Sequence, residues 1–337
     1  MRGWSNPARL KALGVMGMNC RNIEFVSRYN DRRLYPLVDD KLKTKLLAHD
    51  HGLATPALRS VIRRQHEIRQ LGQRLEGLDG FAIKPARGSG GKGILVVSGR
   101  RGDRFVKASG KEVTIDDLGR HMSNVIAGLH SLAGTPDVAI IEDLIRLDPH
   151  FDGYSHEGIP DIRIIVFRGY PVMAMLRLAT HASDGKANLH QGAVGVGLDM
   201  ATGDGIHAVH FGHRIHTHPD TGMALDRIVT PYWRTLLTLA ARCYEMTGLG
   251  YIGADIVLDR DRGPALLELN ARPGLSIQVA NGSGLLPRLR HIEALTQTRS
   301  PEQRADYSMG VFASRGTRQD AGELSAGRAG DTRKSVG

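Results

Sequence analysis

Cysteine is nearly absent. The 337 residues hold two, Cys20 and Cys243, far apart and outside any metal-ligand spacing. A disulfide framework is excluded, and a reducing cytoplasm fits. No apolar run reaches membrane-spanning length, and the N-terminus carries no stretch of signal-peptide length, so a cytoplasmic chain without a membrane span is expected. Aromatic residues make up only 5%. Neither an arginine-rich helix nor an RNA-binding aromatic signature appears, which leaves nucleic acid an unlikely partner. No internal repeat is visible.

What is abundant is glycine, with 41 residues, enough for many turns and close backbone approaches. Apolar residues reach 41%, so most of the chain should fold. The charge balance, 45 Lys and Arg against 35 Asp and Glu, is +10 and suits anionic partners. Between Lys84 and Lys111 eight bases face one acid, Asp103. A polyphosphate site would use such a cluster, although its distal half (Arg100, Arg101, Arg104) reads as a solvated loop.

The pattern predicts strands and helices without a steady βαβ rhythm, hence an α+β fold. Residues 1–37 read as a short, partly helical segment. Asp39-Asp40 opens a lysine-rich helix that Gly52 and Pro56 end. Apolar spacing through Leu118, Met122, Val125, Leu129 and Leu132 predicts a helix over 116–133. A hairpin is expected around Arg168-Gly169-Tyr170. Thr230 with Pro231 should cap another helix that Gly248 stops. After about residue 298 apolar residues thin out, and 299–337 reads as a disordered or loosely attached tail.

Two phrases carry the chemistry. The first joins Asp255, in an apolar run, to Glu268 and Asn270 in the next, across the turn-rich Asp259 to Pro264. Residues two apart on a strand face one way, and a hairpin brings Asp255 beside Glu268. Three such oxygens suit Mg²⁺, which takes one or two carboxylates plus phosphate. The bland alternative is the solvated face of a sheet. The second phrase is Ile83 to Ile94, holding Lys84, Gly88, Ser89, Gly90, Gly91, Lys92 and Gly93. Its glycines let backbone N–H groups approach phosphate, and Lys84 adds a point charge. It has neither the Walker nor the Rossmann order, and a flexible hairpin is the plain alternative. Beyond them, Glu142, Asp143 and Leu144 leave a buried strand where backbone groups can meet an adenine edge, and Asp161 could accept from ribose hydroxyls.

Together these phrases resemble the ATP-grasp superfamily, nearest its α-L-glutamate ligase-like branch, akin to enzymes that add glutamate to ribosomal protein termini. The resemblance covers about 38–298 and adds Asp40-Lys41 and Lys186 to Gly192. It implies two α+β lobes with mainly antiparallel sheets clasping ATP, a small one over about 78–145 and a large one over about 146–298. It further implies that Lys41 and Lys84 hold phosphates under the glycine loop. Lys186 and Asn188 would lie along the triphosphate, and Glu142, Asp143 and Leu144 would form the adenine hinge. Asp255, Glu268 and Asn270 would bind two Mg²⁺ (or Mn²⁺) ions, and Arg163, Arg177 and Arg272 would face the reacting carboxylate and phosphate. The implied activity is ADP-forming carbon–nitrogen ligation through an acyl phosphate, with an amino acid such as glutamate, or a peptide or protein acceptor, as substrate. Such ligases usually carry a whole α/β domain before the lysine helix. Here about 37 residues precede it, so part of the usual substrate surface is expected to be missing or replaced.

Two further readings of the same site are phosphoryl transfer without ligation and a non-catalytic nucleotide-binding module. His207, His210, His213, His216 and His218 crowd twelve residues. A zinc site is the sharp reading of them and a solvated loop the preferred one. Ser89 and Ser276 lack any nucleophile pattern and read as loop residues.

Overall fold

Apolar runs broken by glycine turns build two antiparallel sheets. The computed structural model describes residues 6–88, 90–131 and 134–314. The first sheet has six strands in the order β1-β6-β2-β3-β4-β5. They are β1 Leu58–Ile62, β2 Phe81–Pro85, β3 Leu95–Arg101, β4 Arg104–Lys107, β5 Glu112–Val113 and β6 Ala139–Asp143. The second has seven, ordered β11-β10-β9-β8-β7-β12-β13. These are β7 Asp161–Phe167, β8 Tyr170–Leu178, β9 Val194–Leu198, β10 Gly205–His210, β11 His213–Ile215, β12 Tyr251–Asp259 and β13 Gly263–Asn270. The expected α+β architecture is therefore present. The first sheet also takes in β1, ahead of the expected small-lobe start at 78, because β1 pairs along β6.

Each sheet has its own core. Helix Ile115–Ile126, capped by Thr114 and Asp117 in a reciprocal box, lays Leu118, Met122 and Val125 on the first sheet. It stops seven residues before the expected 133. Gly128 turns the chain at φ +87°, where a Cβ would sit 2.3 Å from the Thr135 carbonyl oxygen, and Leu129 is exposed. Leu132 lies outside the described residues. Helix Trp233–Thr247 buries Leu236, Leu237, Ala240 and Cys243 against the second sheet, and Gly248 ends it. Thr230 is not its cap. Tyr232, at positive φ, precedes the first turn, and the Thr230 N–H is bonded to Gly203 instead.

The turn between β7 and β8 has two residues, Arg168 and Gly169, both at positive φ, as a tight hairpin requires. The histidine segment corrects its loop reading. His207 and His210 lie on β10 and His213 on β11, joined by Phe211 and Gly212, while His218 is buried. The His218 ring donates to the Ala179 carbonyl at 3.1 Å and accepts from the Asp220 and Thr221 N–H groups, so both nitrogens are used within the fold. Among the described residues no group of three His, Cys, Asp or Glu side chains is gathered to hold a metal.

The expected loose tail also needs correction in its first part. Ser300 caps a helix, Pro301–Val311, that packs on Trp233–Thr247 and β8. Ala305 is buried in the core, with Tyr307, Met309 and Val311 packed against it, and cationic stems add to these contacts. Arg304 is buried, pairs with Glu245 and lies over the Tyr244 ring, and Arg299 covers Tyr307. Residues 315–337 lie outside the described residues.

The N-terminal segment is short and partly helical, and it is stitched to the second sheet. The Asn30 amide donates to the carbonyls of Tyr251 and Ala271 at 2.7 and 3.0 Å and accepts from the Tyr251 N–H at 2.8 Å. Arg21 donates to the Pro273 carbonyl at 2.9 Å. Both anchor the stretch that follows β13. No helix among the described residues is long and apolar enough to cross a membrane.

Candidate active site

The hairpin β12–β13 sets Asp255 directly opposite Glu268 and Gly253 opposite Asn270. Pairing slips by one residue after Asp255, where Leu267 is left over as a bulge. On the other side Asp255 faces Arg163 of β7. Period-two alternation therefore gathers the three expected oxygen ligands and an arginine on one face. The Asn270 amide nitrogen lies 3.3 Å from Asp255 Oδ2 and 3.5 Å from Glu268 Oε1.

Asp255 is only 1% exposed, and two guanidinium groups make that tolerable. Arg163 bonds it with two nitrogens, at 2.7 and 2.6 Å, and Arg177 adds a third bond at 2.8 Å. Burial alone would raise its pKa, but Arg163 and Arg177 outweigh that and hold it near 2. Asp161, the expected ribose acceptor, lines the edge of a cavity, yet its carboxylate is already engaged. It is buried and accepts from Arg177 Nε at 2.5 Å. Burial, with anionic Asp255 nearby, pushes its carboxyl up against the pull of Arg177.

On the first sheet, Lys84 ends β2 and pairs with Glu142 of β6. Sequence reading missed Lys45, whose ammonium lies 2.6 Å from the other Glu142 oxygen. The available signal was its position one turn after Lys41 on helix Lys41–Asp50, where i and i+4 share a face. Burial opposes ionisation of Glu142, and the two lysines overcome it. Lys41 donates to the Gly88 carbonyl at 2.6 Å and sits 3.6 Å from Glu268, joining the glycine loop to the metal-type cluster.

The glycine loop requires its glycines. Gly90, Gly91 and Gly93 have positive φ, and a Cβ on Gly93 would lie 2.5 Å from the His130 ring. Ser89 lies outside the described residues. Lys92 is exposed. Across from the loop, Lys186 pairs with Asp184 at 3.0 Å, and Asn188 accepts from the His190 N–H at 3.0 Å. The hinge segment behaves differently from its expectation at Asp143. That carboxylate is clamped by Arg59 of β1 and by Arg262 in the β12–β13 turn. The Asp143 N–H is taken by the Ala57 carbonyl at 2.9 Å, so Leu144 is the first residue beyond the ladder.

Three cavities meet here. One of about 730 Å³ is lined by Gly91, Arg163, Arg177, Lys186, Asn188 and Asp255, among others. A narrow one of about 50 Å³ lies between Lys45, Lys84, Glu142 and Leu267. A third, about 780 Å³, contains Lys41, Gly88 and Arg272. Arg272 thus stands apart from Arg163 and Arg177, stacked 5.1 Å from the Tyr35 ring centre.

A profile of the family described as sugar-transfer associated ATP-grasp matches residues 20–294. The chain belongs to that family. Solved structures of similar fold include D-cycloserine synthetase DcsG, with 15% identity, TM-score 0.47 and coverage of 81% of this chain and 78% of that one. D-alanyl-alanine synthetase A from Vibrio cholerae has 10% identity, TM-score 0.45 and coverage of 83% and 66%. The ATP-grasp ligase PsnB with its minimal precursor has 14% identity, TM-score 0.41 and coverage of 83% and 63%. The matched part thus spans about three fifths of PsnB's own length. No curated protein matches the chain. The match bears out the ATP-grasp superfamily, and the family it names is sugar-transfer associated rather than the expected α-L-glutamate ligase-like branch.

The cluster suits a hard divalent cation. Two carboxylates and an amide are oxygen donors, and Glu268 keeps a third of its side chain open to solvent. Asn270 would turn its amide to offer oxygen, since O and N are interchangeable by a flip.

Proposed function

We propose that this ATP-grasp protein is an ATP- and Mg²⁺-dependent carboxylate–amine ligase. The observation that carries the reading is the convergence of Asp255, Glu268 and Asn270 with Arg163 and Arg177 on one cavity that the glycine loop borders. ATP phosphates would lie along Gly90, Gly91, Lys84, Lys41 and Lys186, with adenine toward Glu142 and Leu144. Mg²⁺ bound at Glu268, Asn270 and Asp255 would neutralise phosphate charge. We take 38–298 as the catalytic unit.

A carboxylate oxygen attacks the γ-phosphorus, and the bond to the ADP oxygen breaks. The amine nitrogen then attacks the acyl carbon, the C–O bond to phosphate breaks, and a proton leaves the nitrogen. Arg163 and Arg177 face the oxygens on which charge accumulates. Their bonds to Asp255 hold them in place beforehand. Glutamate is the first donor to test. Carboxylate-bearing sugars belong in the same panel, because the family description names sugar transfer.

ADP release should depend on both a carboxylate and an amine. Glu268→Gln should lower it by about 10² or more with little change in thermal stability. Phosphorylated product formed without any amine would point to phosphoryl transfer instead. ATP binding with no ADP under any substrate pair would dismiss the ligase.

A further inference from the structure

The 780 Å³ cavity shares only Gly90, Glu268 and Asn270 with the 730 Å³ one. A phosphate held at Glu268 and Asn270 would stand where the two spaces join. The proposed nucleotide and metal use only its edge, at Lys41, Gly90, Glu268 and Asn270, and its volume is that of a small-molecule site. Its charges fall into two sets. Asp40 is occupied, capping helix Lys41–Asp50 and pairing with Arg87 at 3.4 Å, and Lys41 is bonded to Gly88. By contrast, Asp39, Lys43 and Arg272 form no ion pair among the described residues. Asp39 has Arg272 and Lys41 as its charged neighbours. Lys43, Arg272 and Asp39 thus line the cavity without a salt bridge, beside the apolar Pro36 and Val38, Arg272 resting on the Tyr35 ring.

We propose that this cavity binds the second substrate, an amine that also carries an anionic group. Its ammonium faces Asp39, and its anion lies between Lys43 and Arg272. The amine so held approaches the acyl carbon past Glu268 and Asn270, which line both cavities. Only the word "substrate" rests on the ligase reading; the binding site itself does not.

The test is calorimetric binding of glucosamine 6-phosphate and of glucosamine to the full chain, with Mg²⁺ and a non-hydrolysable ATP analogue present. The phosphate-bearing amine should bind about 10-fold more tightly, the scale of one charge-assisted contact. Lys43→Glu, on an exposed position, should erase that gap while leaving binding of the ATP analogue unchanged. Asp39→Asn should weaken both amines equally. Equal binding of the two sugars, or a gap that survives Lys43→Glu, would overturn the site. The same variants are then assayed for hydroxamate formation from hydroxylamine, a small neutral trap for acyl phosphate. Retained hydroxamate with lost amide formation supports the acceptor role. A binding gap that obeys the Lys43 variant, beside no ADP release at all, removes the ligase reading and leaves the anion site standing.

Discussion

Asp255 shows how much of a site depends on what surrounds one carboxylate. Buried among strands it would tend to protonate, yet three bonds from Arg163 and Arg177 keep it ionised. The sign of its pH effect follows. Its folded pKa, near 2, lies below the ordinary 3.8, so its stabilisation is present above about pH 4. It is lost as pH falls from 3.8 towards 2. Asp255→Asn leaves two buried guanidiniums short of an anion, at about 3–5 kcal/mol. The variant should therefore melt earlier at neutral pH, and its loss of stability between pH 4 and pH 2 should be shallower than in the parent chain. Urea unfolding followed across that pH range measures both; parallel curves would refute the assignment. That Asp255, Glu268 and Asn270 would meet was legible in the sequence, because period-two spacing and a turn suffice to predict it. The expected hairpin around Arg168-Gly169 already returns Arg177 opposite Asp161, but nothing local says that the pair is buried with Asp255 from a third strand. Lys45 escaped for a similar reason. Its partner Glu142 lies on β6, far along the chain.

At the level of elements, the glycine loop is legible for its composition, but the reason it needs each glycine is tertiary. Gly90 and Gly93 both have positive φ, and a side chain there costs about 1–2 kcal/mol. Only Gly93 also meets a neighbour, the His130 ring, whereas nothing lies within 4 Å of a Cβ on Gly90. His121, on helix Ile115–Ile126, holds the Gly93 carbonyl at 3.0 Å. Gly93→Ala should therefore destabilise the chain more than Gly90→Ala and raise the KM for ATP more. Removing the ring in Gly93→Ala/His130→Ala should recover part of the stability difference. Equal effects of the two alanines would show that backbone strain alone is at work. Helix Pro301–Val311 marks the limit of compositional reading. Its apolar residues are scattered among polar ones, so it reads as tail, yet Ala305 enters the core and Arg304 docks it against Tyr244 and Glu245. The histidine hairpin escaped likewise, because glycine and proline around it imitate a loop.

Across the whole molecule, one carboxylate takes ion pairs from both sheets. Asp143 ends β6 of the first sheet and accepts from Arg59 of its neighbour β1 and from Arg262, in the turn of the second sheet's terminal hairpin. The connection continues with the Arg146 N–H bonded to Asp259 at 3.0 Å and the Arg260 N–H to the Arg146 carbonyl at 2.8 Å. Sequence reading placed Asp143 in the adenine hinge by its position after a buried strand. Its side chain instead links β1 and the β12–β13 turn through Arg59 and Arg262. Both arginines are nearly half exposed, so each pair contributes about 0–1 kcal/mol. Asp143→Asn should accordingly lower stability by little. It should act more on geometry, raising the KM for ATP while kcat changes less, because the variant removes no group that touches the reacting atoms. Salt gives the discriminating readout. Ionic screening at high salt weakens exposed pairs, so the parent chain's KM for ATP should climb with salt towards that of the variant. The variant's own KM should climb less. A KM that rises equally with salt in both proteins would mean that screening acts on the phosphates alone and that the Arg59–Asp143–Arg262 tie has no part in setting the cleft.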